Sequence, residues 1–235
     1  MADSDSATIV YRFHLAHGVE EIALRFDRAT FALQEPIDKP AADWARLDYH
    51  QCPNCPLSPR DSPQCPFARG LSGFVERFEI FRSFDEATTE VVTSSRTVMA
   101  HKSLQDGMAS LVGLIGATSG CPHLAFFRPM ARFHLPFARD DETLFRVFSM
   151  YLLGRYLRDN ALGAGTLEDL RKHTEAATVV NRGMADRIRA AFDRDVLVNA
   201  VIILDMFARA VPFAIEEGLL DLRDMFGLPS VETDD

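Results

Sequence analysis

The stretch IVYRFHLAHGVEEIALRFD, residues 9–27, decides the fold of the first half of this chain. Apolar and polar residues alternate up to a turn at His17 and Gly18, and the alternation resumes from Ile22 to Phe26. A period of two places successive side chains on opposite faces of a strand, and a glycine between two such runs favours a tight turn. The stretch therefore predicts an antiparallel β-hairpin with one buried face.

Further strand patterns follow within the first hundred residues. A short third strand is expected from Phe31 to Leu33, and residues 73–102, rich in alternating apolar residues, threonine and valine, predict a second β-hairpin. Between them, residues 35–72 contain seven of the twelve prolines of the chain. Proline removes backbone donors and fixes φ, so a long regular element is not expected in this Cys/Pro-rich loop.

The hydrophobic period becomes helical from Ser103 onward. Apolar residues then recur every three or four positions, which is typical of amphipathic helices, and Ser103 is a suitable N-cap. Pro212 is expected to break or kink the last long helix. The residues expected to begin three further helices are Asp140 or Asp141, Thr166 and Asp195.

Strands in the first half and helices in the second predict an α+β fold. We expect a single domain of antiparallel β-hairpins and helices that the Cys/Pro-rich loop joins. The expected segments are a disordered tail over residues 1–7, one domain over 8–228 (mainly strands over 8–102, mainly helices over 103–228) and an acidic tail over 229–235.

Composition limits the classes of function. The 235 residues are 47 % hydrophobic, which excludes disorder of the whole chain, and the net charge of −9 disfavours nucleic acid and anionic lipid as partners. The first residues do not resemble a secretory signal, and the most apolar run, Val196 to Ile203, is interrupted by Asn199. We therefore expect a cytoplasmic protein that binds neither a membrane nor nucleic acid.

The four cysteines carry the strongest chemical signal. Cys52 and Cys55 lie in the motif HQCPNCPL, Cys65 follows in the same loop, and Cys121 lies in the motif SGCP. Each of the four precedes a proline, which stiffens the chain beside the sulfur and lowers the entropy lost on ordering it. In a reducing compartment, clustered cysteines more often bind a metal than form disulfides. We predict that the four thiols converge on one metal site.

The identity of the metal remains open between two alternatives. Four thiolates complete a tetrahedral zinc site or hold a [4Fe-4S] cluster, and we favour the iron–sulfur cluster because the second Cys-x2-Cys pair of common zinc sites is missing. A third interpretation is four thiols without a metal. His50 and His123 flank the cysteines, and either could replace a thiolate ligand or donate a hydrogen bond to a sulfur.

These motifs resemble those of a bacterial domain family of unknown function. The resemblance rests on HQCPxCPL at residues 50–57, SGCP at 119–122 and the segment 132–138, and it covers roughly the first 160 residues. It implies that the cysteine loop and Cys121 belong to one domain, and it implies no activity.

Three functions are compatible with these patterns. The favoured one is a metal-binding redox or sensory protein that acts through an unidentified protein partner, and the second is a scaffold or interaction protein with a structural zinc. The third is an enzyme with a pocket near Arg132, His134 and Glu142, although no known catalytic motif is present.

Overall fold

The computed structural model describes residues 5–34, 42–159, 166–193 and 195–228, and the structural statements below concern these residues. Within them, a five-stranded antiparallel sheet is followed by a mostly helical half. The α+β prediction is confirmed. The acidic tail over 229–235 and residues 1–4 of the expected N-terminal tail lie outside the described residues.

The sheet has the strand order β3-β2-β1-β4-β5. Its strands are β1 Ser6–Leu15, β2 Gly18–Asp27, β3 Leu33–Gln34, β4 Glu86–Val92 and β5 Thr97–Ser103. The first two pair in register from Ser6 opposite Asp27 to Leu15 opposite Gly18, which confirms the hairpin and its tight turn. Because β1 begins at Ser6, the end of the expected tail over residues 1–7 is part of the sheet.

The second hairpin is shorter than predicted. The prediction covered 73–102, but β4 begins only at Glu86, and Val75–Phe78 form a 3-10 turn instead. The reason is packing, because the Phe78 ring meets the Phe13 ring edge-on at 5.3 Å between centroids, under the sheet. The apolar residues of this segment therefore lie on the packed side of a turn and not on one face of a strand.

The helical half contains six of the seven helices in the described residues. The helices are α1 Pro66–Ser72, α2 Leu104–Thr118, α3 Arg128–Arg132, α4 Asp140–Asp159, α5 Thr166–Ala191, α6 Val196–Glu216 and α7 Leu220–Met225. The predicted starts of α2, α4, α5 and α6 agree with these bounds. Helix α1 lies inside the Cys/Pro-rich loop, where no long element was expected, and it is only seven residues long. Its Pro66 occupies the first turn, where the missing N–H has no helical partner to lose.

Helix α6 does not end at Pro212. It continues to Glu216, so the expected break is wrong. Proline removes one helical hydrogen bond, and here the loss falls in the last turns of a helix that packs against α2 and α5. By length and composition, α6 is the one helix of the described ranges that could cross a membrane, although the same composition suits a helix packed in a core.

Helix α2 lies at the centre of the molecule, with the sheet on one side and α6 on the other. Its apolar stripe, including Leu104, Met108 and Leu111, is buried as predicted. Gly107 allows the close approach, since a Cβ added there would lie 3.1 Å from the Phe13 ring. Cys121 follows the end of α2 and lies in the same region as the cysteine loop.

Candidate metal centre

Backbone pairing holds together the two ends of the cysteine loop. The Leu47 N–H donates to the Pro63 carbonyl at 3.0 Å, and the Cys65 N–H donates to the Ala45 carbonyl at 2.8 Å. These bonds close residues 48–62 into a loop with a fixed stem. The loop thus has a defined position without a long regular element of its own.

The HQCPNCPL motif forms a compact turn. The Cys55 N–H donates to the Cys52 carbonyl at 3.0 Å, and the Gln51 side-chain amide donates to the Leu57 carbonyl at 2.9 Å. Gln51 therefore has a structural role in the motif. Its hydrogen bond stabilises the turn, although its side chain is not a metal ligand. Cys52 and Cys55 are both partly exposed.

Cys121 lies beside this loop although it is remote in sequence. A Cβ built on Gly120 would lie 4.0 Å from the Pro66 Cβ, so the residues next to Cys121 and Cys65 are in contact. The His123 Nε2 lies 2.7 Å from the Asn54 carbonyl, where an N–H on this nitrogen donates to the carbonyl oxygen. The segment after α2 therefore touches both parts of the cysteine loop.

The electrostatics of the thiols agree with this proximity. The pKa of the Cys52 thiol is raised to about 12, mainly by burial and to a lesser extent by the neighbouring thiols of Cys65, Cys121 and Cys55. Burial also raises the pKa of the Cys121 thiol, against the opposing effect of N–H groups of the next residues, which donate to its sulfur. Thiols that influence each other in this way occupy one neighbourhood.

Proximity is not yet coordination. All four cysteines are free thiols, and no group of three or more His, Cys, Asp or Glu side chains in the described part of the chain is arranged to hold a metal ion. In a zinc site with ~2.3 Å Zn–S bonds, tetrahedral geometry places the sulfurs ~3.8 Å apart. The four predicted ligands therefore stay a prediction, since the described residues are not arranged around a single ion.

Helix α5 forms the other wall of the site. The Asn54 side-chain amide donates to the Ala176 carbonyl at 3.0 Å, and the Cys52 thiol lies 3.9 Å from the Val180 carbonyl. Gly183 leaves the space for this contact, because a Cβ there would lie 2.7 Å from the Cys52 sulfur.

A buried arginine on α5 also reaches the loop. The Arg187 side chain is 1 % exposed, and its guanidinium donates to the carbonyls of Trp44, Arg46 and Leu47 at 2.7, 2.6 and 3.2 Å. Its Nε has no partner among the described residues. The Arg187 charge lowers the pKa of the Cys52 thiol and also contributes to lowering the pKa of Asp48. A buried cation thus lies near the thiols.

The two flanking histidines have different environments. His123 is partly buried and bonded to the loop as described above. His50 is exposed, its φ is +47°, and its ring packs against Tyr49 at 4.9 Å between centroids. The placement favours His123 over His50 as a group that supports the cysteines.

The pocket expected near Arg132, His134 and Glu142 exists only in part. A cavity of about 790 Å³ lies between α2, α4, α5 and α6, and His134 lines it. Arg132 points elsewhere and donates to the carbonyls of Arg28 and Ala29, while the Glu142 carboxylate accepts the Arg139 N–H. The three predicted side chains therefore do not converge.

A buried tyrosine and a half-buried histidine form a hydrogen-bonded pair at the wall of the cavity. The Tyr11 hydroxyl lies 2.5 Å from the His134 Nε2. Burial and the nearby charge of Arg146 lower the pKa of His134 to about 4, and burial raises the pKa of Tyr11 well above its usual value. Both groups are neutral near pH 7, so the phenol can donate to the imidazole.

A family comparison places these features in context. A model of a domain of unknown function, DUF6901, matches residues 9–227. The chain belongs to the DUF6901 family. No curated protein and no solved structure matches it. The match confirms an uncharacterised domain family and extends well beyond the first 160 residues, where the motif resemblance ended.

Sequence reasoning missed two polar residues of this DUF6901 chain, Asn181 and Arg187. Both lie on the face of α5 that also carries Ala177, Met184 and Ile188, all of them buried. The sequence did contain a signal for both residues, because each is a polar residue within the apolar stripe of a helix. A polar residue is rare at such a position unless it has a bonding partner or a function.

Proposed function

We propose that this DUF6901 protein binds an iron–sulfur cluster of the [4Fe-4S] type through Cys52, Cys55, Cys65 and Cys121. Its role is redox or sensory and is exerted through a protein partner. The observation that carries the proposal is the contact between the Cys121 segment and the cysteine loop, through Gly120 with Pro66 and His123 with Asn54.

The donor set suits such a cluster. Four cysteine thiolates are its usual ligands, and N–H groups that donate to sulfur, as those after Cys121 do, stabilise the thiolate and help to set the potential. When bound, the cluster supplies one-electron chemistry or responds to oxidants. The residues of the chain hold it, donate to its sulfurs and limit access of water.

The sequence favours a cluster over a single zinc ion. The second Cys-x2-Cys pair of common four-cysteine zinc sites is missing, whereas three neighbouring cysteines and a distant Cys-Pro are typical of iron–sulfur ligation. A structural zinc in a scaffold protein remains the second candidate.

The charge of Arg187 is a further support. Four thiolates around a cluster or a zinc ion carry a net negative charge, and a buried guanidinium near Cys52 compensates it. The side chain also fixes the stem of the loop through three carbonyls. Arg187 thus positions the loop and balances the charge of the occupied site.

The remaining parts of the proposal follow from the same chemistry. We propose a cytoplasmic location, because a reducing compartment keeps cysteines as thiols, and no role in binding nucleic acid or anionic lipid, because the net charge is −9. We assign no catalytic residue, because Arg132 and Glu142 lie away from the cavity that His134 lines.

The test is elemental analysis of protein purified without oxygen. We expect a brown protein with about four irons and four sulfides per chain, and Cys121→Ser should lose nearly all of both. His50→Ala is the matched control, since this exposed residue should leave the iron content unchanged, whereas His123→Ala should lower it by loosening the loop.

Two outcomes would contradict the cluster. Colourless protein with one zinc per chain, lost in Cys121→Ser, would establish the second candidate. Full metal content in Cys121→Ser would remove this residue from the site and with it the observation on which the proposal rests.

A further inference from the structure

The cavity between α2, α4, α5 and α6 is a second site, separate from the thiols. Its volume of about 790 Å³ is in the range of cavities that hold small-molecule ligands. Most of its wall is apolar and comes from helices α2, α4 and α6. Typical wall residues are Val112, Leu144, Val147, Leu204, Phe207 and Val211.

The Asn181 side-chain amide lies at this wall. Asn181 is 4 % exposed and lines the cavity, and none of the hydrogen bonds among the described residues involves its amide. The amide is not among the fully buried polar groups of the described residues that lack a partner, so it faces the open space of the cavity. Asn181 is therefore placed to form a hydrogen bond with a polar group of a bound ligand.

A cation lies at the same wall. Arg146 is half-buried, and its Nη2 donates to the Met130 and Phe133 carbonyls at 2.9 and 3.0 Å. No ion pair among the described residues involves Arg146, although the charge of Glu142 acts on it and partly offsets the effect of burial, which lowers the pKa of Arg146. Because Arg146 also lines the cavity, its remaining N–H groups can donate to an anion there.

We propose that this cavity binds a monocarboxylic acid with a long apolar tail, a fatty acid in chemical class. The tail occupies the apolar wall, and the carboxylate accepts hydrogen bonds from Arg146. Asn181 donates to the same head group or to a polar substituent, and His134 lines the wall beside Arg146 as a neutral group. The proposal does not depend on the metal centre, because none of these residues is a predicted ligand.

The experiment measures binding of dodecanoate and of 1-dodecanol to the full chain by calorimetry, below the micellar concentration of dodecanoate. We expect saturable binding of one dodecanoate per chain. Arg146→Gln should weaken dodecanoate by about tenfold while changing 1-dodecanol little, since only the acid carries the charge. Arg96→Gln, an exposed residue in the turn between β4 and β5, is the matched control and should bind both as the wild type does.

Variants that fill the cavity test whether dodecanoate binds inside it or on the protein surface. Ala208 lines the cavity on α6, and Ala208→Leu should weaken dodecanoate by more than about tenfold while thermal unfolding shows an intact fold. Ala138→Leu, in the connector before α4, serves the same purpose if the first variant does not fold. Absent dodecanoate binding, or binding unaffected by filling, would overturn the site. Equal effects of Arg146→Gln on acid and alcohol would overturn the carboxylate contact.

Discussion

At the scale of single residues, the polar side chains on the buried face of α5 are the informative ones. Arg187 satisfies three backbone carbonyls and places a charge near Cys52. The Asn181 amide forms no hydrogen bond among the described residues and faces a cavity. Its donor and acceptor groups are therefore available to a ligand.

This difference leads to a prediction for Asn181→Leu. The Asn181 amide forms no hydrogen bond among the described residues and lies on a mostly apolar wall, so replacing it with an apolar side chain of similar size should raise the free energy of unfolding by about 1 kcal/mol without ligand. Urea denaturation measures the change. Asn199→Leu is the control, because that amide donates to the Asp195 carboxylate at 3.2 Å, and its loss should not stabilise the protein. A destabilised Asn181→Leu would mean that the amide has a structural partner.

At the scale of elements, α5 connects the two sites. Its Ala176 and Val180 carbonyls face the cysteine loop, while Ala177 and Asn181 line the cavity. The loop has no long helix or strand of its own, so its position depends on this helix and on the end of α2. A change that moves α5 away from the loop should therefore disturb the cysteines first.

Two glycine-to-alanine changes test this dependence. Gly154→Ala on α4 has room, since its nearest neighbour would be Arg158 Nη1 at 3.8 Å, and it should stabilise the helix by about 0.5–1 kcal/mol. At Gly183 the new Cβ would lie 2.7 Å from the Cys52 sulfur and 3.3 Å from its Cβ, so the Cys52 side chain must shift. Gly183→Ala should instead destabilise by about 1–3 kcal/mol despite the same gain in helix propensity.

Urea denaturation and iron content measure the two effects together. Gly183→Ala should also lower the iron content of protein purified without oxygen, and Gly154→Ala should leave it unchanged. Equal stabilisation by both changes would show that α5 does not press on the loop.

At the scale of the whole molecule, the hydrogen bond between Tyr11 and His134 joins the sheet to the helical half. It spans 123 positions of sequence and connects β1 to the segment that follows α3. Because burial and the charge of Arg146 lower the pKa of His134 to about 4, the imidazole remains neutral in the folded protein under mildly acidic conditions. The unfolded chain takes up a proton there below pH ~6.5.

The global stability should therefore depend on pH through His134. Between pH ~6.5 and ~4 the unfolded state binds more protons than the folded state, so stability falls as pH falls through this window, by up to about 3 kcal/mol from this residue. His134→Gln keeps a hydrogen-bonding partner for Tyr11 and should remove this part of the pH dependence.

Urea denaturation at a series of pH values measures the effect. His101→Gln on the edge strand β5 provides the matched exchange outside the cavity, and we expect it to retain the pH dependence of the wild type. An unchanged pH dependence in His134→Gln would show that the imidazole is not buried from water in solution.

Much of the fold was accessible from the sequence because it depends on local periods. The β1–β2 hairpin, the stripe of α2 and the starts of α4, α5 and α6 follow from spacings of two to four residues, which directly set which side chains share a face. The errors fell where packing outweighed such spacing, as in the turn Val75–Phe78 under Phe13 and in the continuation of α6 through Pro212.

By itself the sequence determined the α+β class, the antiparallel hairpin and the four cysteines as the strongest candidate site. Only the tertiary structure placed Cys121 beside the loop, turned Arg187 towards it and left Asn181 facing a cavity. In each case the parts of the molecule that meet are distant along the chain. Their relative positions depend on many packing contacts together, and a hydrophobic period over a few residues does not specify those contacts.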